Sequence, residues 1–164
     1  MSMIGNLRAV DDDVLQDLLA SPAKIQDFLY SEEAEDGADH TDLDKAWHTI
    51  HFVLTGSTWE GDFPQGFLVS AGTPVGEEDV GYGPARAFQS AEVCEIHAVL
   101  SQVSDDDFSK RFSVTALKEA DVYPSFGHAS DEEERPYFLE YFQILKAFVA
   151  RASAQKKGLL VYVN

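Results

Sequence analysis

The stretch 43–56, LDKAWHTIHFVLTG, limits what this chain can fold into more than any other part of it. Wound as an α-helix at about 100° per residue, it puts Leu43, Ala46, Trp47, Ile50, Val53 and Leu54 on one broad face and Phe52 almost opposite them. Lys45, Thr49 and one narrow polar stripe are the only interruptions. A helix apolar on nearly every side has to be packed from more than one direction, so this segment is expected to be the central helix. Thr41 or Asp42 can cap its start, and Gly56 supplies a left-handed residue at its end.

Around that helix the chain reads as alternating helices and short strands. A short strand is expected within residues 2–10, followed by a helix that opens on Asp11, Asp12 and Asp13, where acid favours the helix dipole. Ser21-Pro22 signals a second helix, carried to about residue 31 by Ile25, Phe28 and Leu29. Residues 32–42 hold six carboxylates and no base, which reads as a solvated loop; the alternating ligand spacing of a calcium loop is absent. Residues 56–84 are rich in glycine and proline and are expected to form turns, with a strand at Phe67-Leu68-Val69. Further on, a strand at 85–88 leads into a helix at 91–102, capped by Ser90. Two short helices begin at Ser104 and Ser113, and residues 136–157 form the longest helix. The nearly all-apolar 159–163 is expected to be a strand interior to a sheet. With no internal repeat and no linker, the fold class is α+β: residues 1–164 as a single compact domain of several helices on a small mixed sheet that includes the C-terminal strand.

Charge and cysteine content exclude several classes. Twenty-nine acidic against 12 basic residues give a net charge of −17, which argues against nucleic acid and anionic membranes as partners. No window is apolar enough to span a bilayer, and the N-terminal stretch lacks the pattern of a signal peptide. The single cysteine, Cys94, allows no internal disulfide and no cysteine-rich zinc site, and is expected to be a small buried apolar side chain. A cytoplasmic location and no cofactor follow as expectations.

Several separated motifs share one likeness. They are Trp47 with His51-Phe52-x-Leu54-Thr55-Gly56, Gly72-Thr73-Pro74-Val75-Gly76, Tyr82-Gly83-Pro84-Ala85-Arg86, Arg111-Phe112, Val122-Tyr123-Pro124, the aromatic helix 137–148 and the closing 159–163. Together these resemble the YfbM-like bacterial family of domains of unknown function. The resemblance runs nearly end to end and implies a single compact α+β domain of cytoplasmic type; it transfers no catalytic residue, and His48 is outside its pattern.

The residues themselves suggest one site. Asp44, His48, His51 and Thr55 fall within roughly 60° of arc on the central helix. Two imidazoles one turn apart, His48 and His51, can chelate a divalent metal, with Asp44 as orienter or third ligand. Alternatively His51 serves as a general base. Both uses compete with a His51 that hydrogen-bonds to backbone at a buried boundary. His97, on an apolar helix face, reads as a core histidine; His40 and His128 read as solvated. Arg86 and Arg111 are read as clamps on carboxylates; the other use of Arg86, with Tyr82 before it, is to bind an anionic ligand. Trp47 and Trp59 read as core and loop-covering aromatics, with Trp47 a further ligand-binding candidate. The leading functional expectation is a non-catalytic acidic interaction protein whose surface at 31–44 and 130–134 meets a basic protein partner. The alternative is a small-molecule-binding or hydrolytic domain with its pocket between helix 43–55 and loop 56–84.

Overall fold

The computed structural model describes residues 1–31 and 37–164. The first part of the expected acidic loop, with Glu32, Glu33, Glu35 and Asp36, therefore lies outside the described residues, and its end, His40–Asp42, is a strand. Five strands, β1 (Gly5–Val10), β2 (His40–Asp42), β3 (Thr73–Pro74), β4 (Arg86–Phe88) and β5 (Gly158–Val163), form one sheet in the order β2-β1-β5-β4-β3. Every pairing is antiparallel, where a mixed sheet is expected from sequence. The C-terminal strand β5 lies at the centre. Its alternate side chains serve two cores: Leu159 and Val161 face one, Leu160 and Tyr162 the other. Burial on both faces is the reason its sequence is apolar throughout rather than alternating.

The smaller core lies under α1 (Asp12–Ala20) and α2 (Ile25–Leu29). The larger contains α3 (Trp47–Thr55), α4 (Ser90–Ser101), α5 (Asp105–Arg111), α6 (Val114–Glu119) and α7 (Asp131–Ala154). The central segment begins as a 3-10 turn (Asp44–Ala46) and becomes α-helical only at Trp47. Asp42 Oδ1 accepts from the Asp44 amide at 3.0 Å, and Gly56 ends the helix at φ 74° with its N–H on Phe52 O. That positive φ suits glycine and is strained for other residues. Gly5 on β1 is required for a different reason: a Cβ there would lie 2.5 Å from Trp47 Cβ, so only glycine lets Trp47 lie flat on the strand.

Three local expectations need correction. Helix α7 starts at Asp131, not Pro136, because Ser130 and Glu133 form a capping box and the acidic first turn suits the dipole. Pro136, the sixth residue of the helix, leaves Glu132 O without its intrahelical N–H. Gln89 rather than Ser90 caps α4; the Ser90 amide and hydroxyl instead donate to Asp12, tying α4 to α1. Residues 67–69 form no strand. They are part of a compact turn whose carbonyls are taken by a side chain rather than by a neighbouring strand.

Candidate functional site

The polar stripe of the central segment is engaged inward. Asp44 sits at φ 44° before the helix, where its Oδ2 accepts from the Tyr137 hydroxyl of α7 at 2.7 Å. Burial, reinforced by that bond to a carboxylate, raises the Tyr137 pKa. His48 is wholly buried; its Nδ1 accepts from the Tyr123 amide at 3.0 Å and its Nε2 faces Thr58 O at 2.7 Å. A neutral imidazole has one lone pair, and here it is used, which fixes the tautomer with the proton on Nε2. His51, also wholly buried, places Nε2 against Glu60 O at 3.0 Å and leaves Nδ1 without a hydrogen-bond partner. Burial pushes its pKa down to about 4, with the neighbouring His48 and Arg86 charges adding to that, while His48 is lowered chiefly by burial. Thr55 Oγ1 donates to His51 O at 2.9 Å.

Both rings thus pin the loop 58–60 by its carbonyls. His48 has no lone pair free for a metal, and His51 Nδ1 has no hydrogen-bond partner among the described residues. Among the described residues no three His, Cys, Asp or Glu side chains group as a metal site needs. Of the other histidines, His97 is half-buried rather than core, His40 hydrogen-bonds Asn6 at 3.0 Å, and His128 is exposed. Cys94 is exposed, against the expectation of burial, because it falls on the outer side of α4 while Val93 and Ile96 face the core.

The three ligand-binding candidates behave differently. Trp47, Tyr82 and Arg86 all line one cavity of about 310 Å³ between α3, the loop 56–84 and the end of β5. Period-two alternation on β4 sends Arg86 and Phe88 to the same face, opposite Val161 and Leu159 of β5, and so puts a cation on the inner face of the sheet. Its guanidinium donates to backbone carbonyls: Nη1 to Phe67 O (3.0 Å) and Ala71 O, Nη2 to Leu68 O at 2.6 Å. It clamps a turn, not a carboxylate as expected. Burial lowers its pKa to about 10, which leaves it a cation at neutral pH. Arg111, the other expected clamp, is exposed and forms no ion pair among the described residues.

Arg86 likewise has no carboxylate within ion-pair distance among the described residues. Three of its five N–H groups are used, leaving Nε–H and one Nη2–H without a protein acceptor there. Trp47, 5% exposed, is held by Nε1 donating to Met3 O at 3.1 Å, whereas Tyr82 projects from a glycine-flanked turn whose Asp79 Oδ1 accepts from the Gly81 and Gly83 amides. A second cavity of about 520 Å³ adjoins the first, sharing Met3 and Trp59 with it and edged by His48, Lys118, Asp121 and Phe126. Sequence reasoning missed Met3, Asp121 and Phe126. The one available signal was a bulky Trp59 in a loop otherwise made for turning.

The comparisons with known proteins agree with this architecture. Protein YfbM of Escherichia coli (strain K12) is 27% identical over 137 residues, which cover 81% of this chain and 80% of that protein. A crystal structure of a protein of unknown function, YfbM from Escherichia coli, matches with a TM-score of 0.73 at 24% identity, covering 98% of this chain and 99% of that one; at this identity the likeness speaks to the fold. No helix among the described residues is long and apolar enough to cross a membrane. The family model described as a domain of unknown function (DUF1877) matches residues 1–162, and the chain belongs to that family.

Proposed function

We propose that this domain binds a small carboxylate in the cavity formed by Trp47, Tyr82 and Arg86. The observation that carries the reading is Arg86: a permanently charged side chain at a cavity wall, in a chain of net charge −17, without a carboxylate partner among the described residues. Its Nε–H and remaining Nη2–H form the kind of pair that grips both oxygens of one carboxylate. A volume of about 310 Å³ with aromatic walls is of the size and character usual for small-ligand sites.

A hydrolytic version has less support, since the imidazoles that would serve as base face backbone carbonyls. The reading of an acidic interaction surface in a cytoplasmic setting rests on charge alone. Of its main patch, 31–44, residues 32–36 lie outside the described residues, and Asp44 already accepts from the Tyr137 hydroxyl. In its second patch Asp131 accepts from the Val114 amide and Glu133 from the Ser130 amide, so two carboxylates already serve the fold.

A thermal-shift screen of short carboxylates, with chloride and inorganic phosphate as controls, tests the proposal. A carboxylate at 100 times its dissociation constant is expected to add about 2.7 kcal/mol, or roughly 5–10 °C in a domain of this size. Folded Arg86→Lys keeps the charge but loses the fork, and is expected to lose the shift. A flat response to every carboxylate refutes the reading.

A further inference from the structure

The two cavities meet at Trp59, and Trp59 is held only lightly. It is 58% exposed, and one face of its indole rests on the His48 ring with centroids 4.2 Å apart. No hydrogen bond fixes the indole N–H among the described residues. The backbone on either side is, by contrast, pinned: His48 Nε2 holds Thr58 O and His51 Nε2 holds Glu60 O. Pinned backbone with a loosely held side chain localises motion to the Trp59 side-chain torsions, which interconvert far faster than a loop opens. Met3, the other shared wall, is an unbranched side chain that adapts to what it touches. Beyond them the second cavity offers the buried Val122 and Phe126 and the ring of Tyr123, with Lys118 and Asp121 also in its wall.

We infer that Trp59 is a swinging partition and that the ligand is an amphiphilic monocarboxylate. Its head pairs with Arg86, and its apolar tail passes Met3 into the cavity of Val122 and Phe126. This rests on the carboxylate reading of Arg86 and adds the length and polarity of what is attached. It also gives the buried His48 and His51 a purpose: they hold the loop still so that only the indole moves.

The test is calorimetric titration of the full chain with straight-chain carboxylates from butyrate to decanoate, kept below micelle-forming concentrations. Affinity is expected to climb roughly fourfold per methylene across the series, the increment of burying one more CH₂. Ser125→Trp, which fills the far cavity from an exposed position, is expected to cut the climb short while leaving butyrate unchanged. Trp59→Ala is expected to keep the climb. A plateau at the short acids that Ser125→Trp does not alter confines the ligand to the Arg86 cavity and overturns this inference while the carboxylate reading stands. An equal loss at every length in Trp59→Ala makes Trp59 a fixed wall and overturns it too. Failure of every acid to bind, or decanoate binding unchanged in Arg86→Lys, overturns both.

Discussion

Acid should weaken this protein through His51, and His51→Gln isolates the effect. The imidazole is wholly buried and its pKa falls from 6.5 to about 4 on folding. Because the folded pKa lies below the unfolded one, the folded state binds fewer protons as the pH drops. The His51 contribution is therefore fully present above about pH 6.5, is lost as pH falls towards 4, and is gone below that. Between pH 7 and pH 5 the loss approaches 2 kcal/mol for these two values, and about 1–2 kcal/mol after allowance for solvent reaching the ring from the loop side. His48, lowered in the same direction by burial, adds to the slope in both proteins. Urea unfolding of wild type and His51→Gln at pH 7 and pH 5 gives the double difference directly. Glutamine keeps an N–H for Glu60 O but does not titrate, so the wild type should lose about 1–2 kcal/mol more than the variant over this interval. Equal losses, or an NMR titration placing His51 above pH 6 in the folded protein, refute the burial argument.

Three further outcomes follow from particular contacts. Gly5→Ala drives a methyl into the Trp47 side chain and should destabilise by about 1–3 kcal/mol, seen as a lower thermal midpoint with blunted near-UV dichroism from Trp47. Ser130→Ala removes the hydroxyl that accepts from the Glu133 amide and should lower stability by about 1 kcal/mol in urea. Cys94, exposed on α4, should react with a thiol-specific disulfide reagent in the folded protein as quickly as after unfolding; slow labelling in the native state would show the thiol to be shielded.

What could be read from the sequence was set by local periodicity and end chemistry. The period of 3.6 identified α3 as a buried helix and α7 as an amphipathic one, Gly56 marked where α3 ends, and the unbroken run before Asn164 marked β5 as an interior strand. These signals are carried within a dozen or so residues, so they survive without knowledge of what lies across the core. That Trp47, Tyr82 and Arg86 line one cavity is a property of the closed fold, since no local pattern places the three together. The tertiary structure alone decided what the polar side chains do. The same i,i+3 spacing of His48 and His51 suits a chelate, a base or a pair of loop pins, and the choice fell to Thr58, Glu60 and Tyr123, whose backbone groups reach the rings only once the loops close. Arg86 was open to a carboxylate or a turn until the carbonyls of Phe67, Leu68 and Ala71 converged on it. A helix pattern follows from which residues are apolar, but a buried polar group is satisfied by whichever partner the whole chain delivers within about 3 Å, and that is a property of the closed fold.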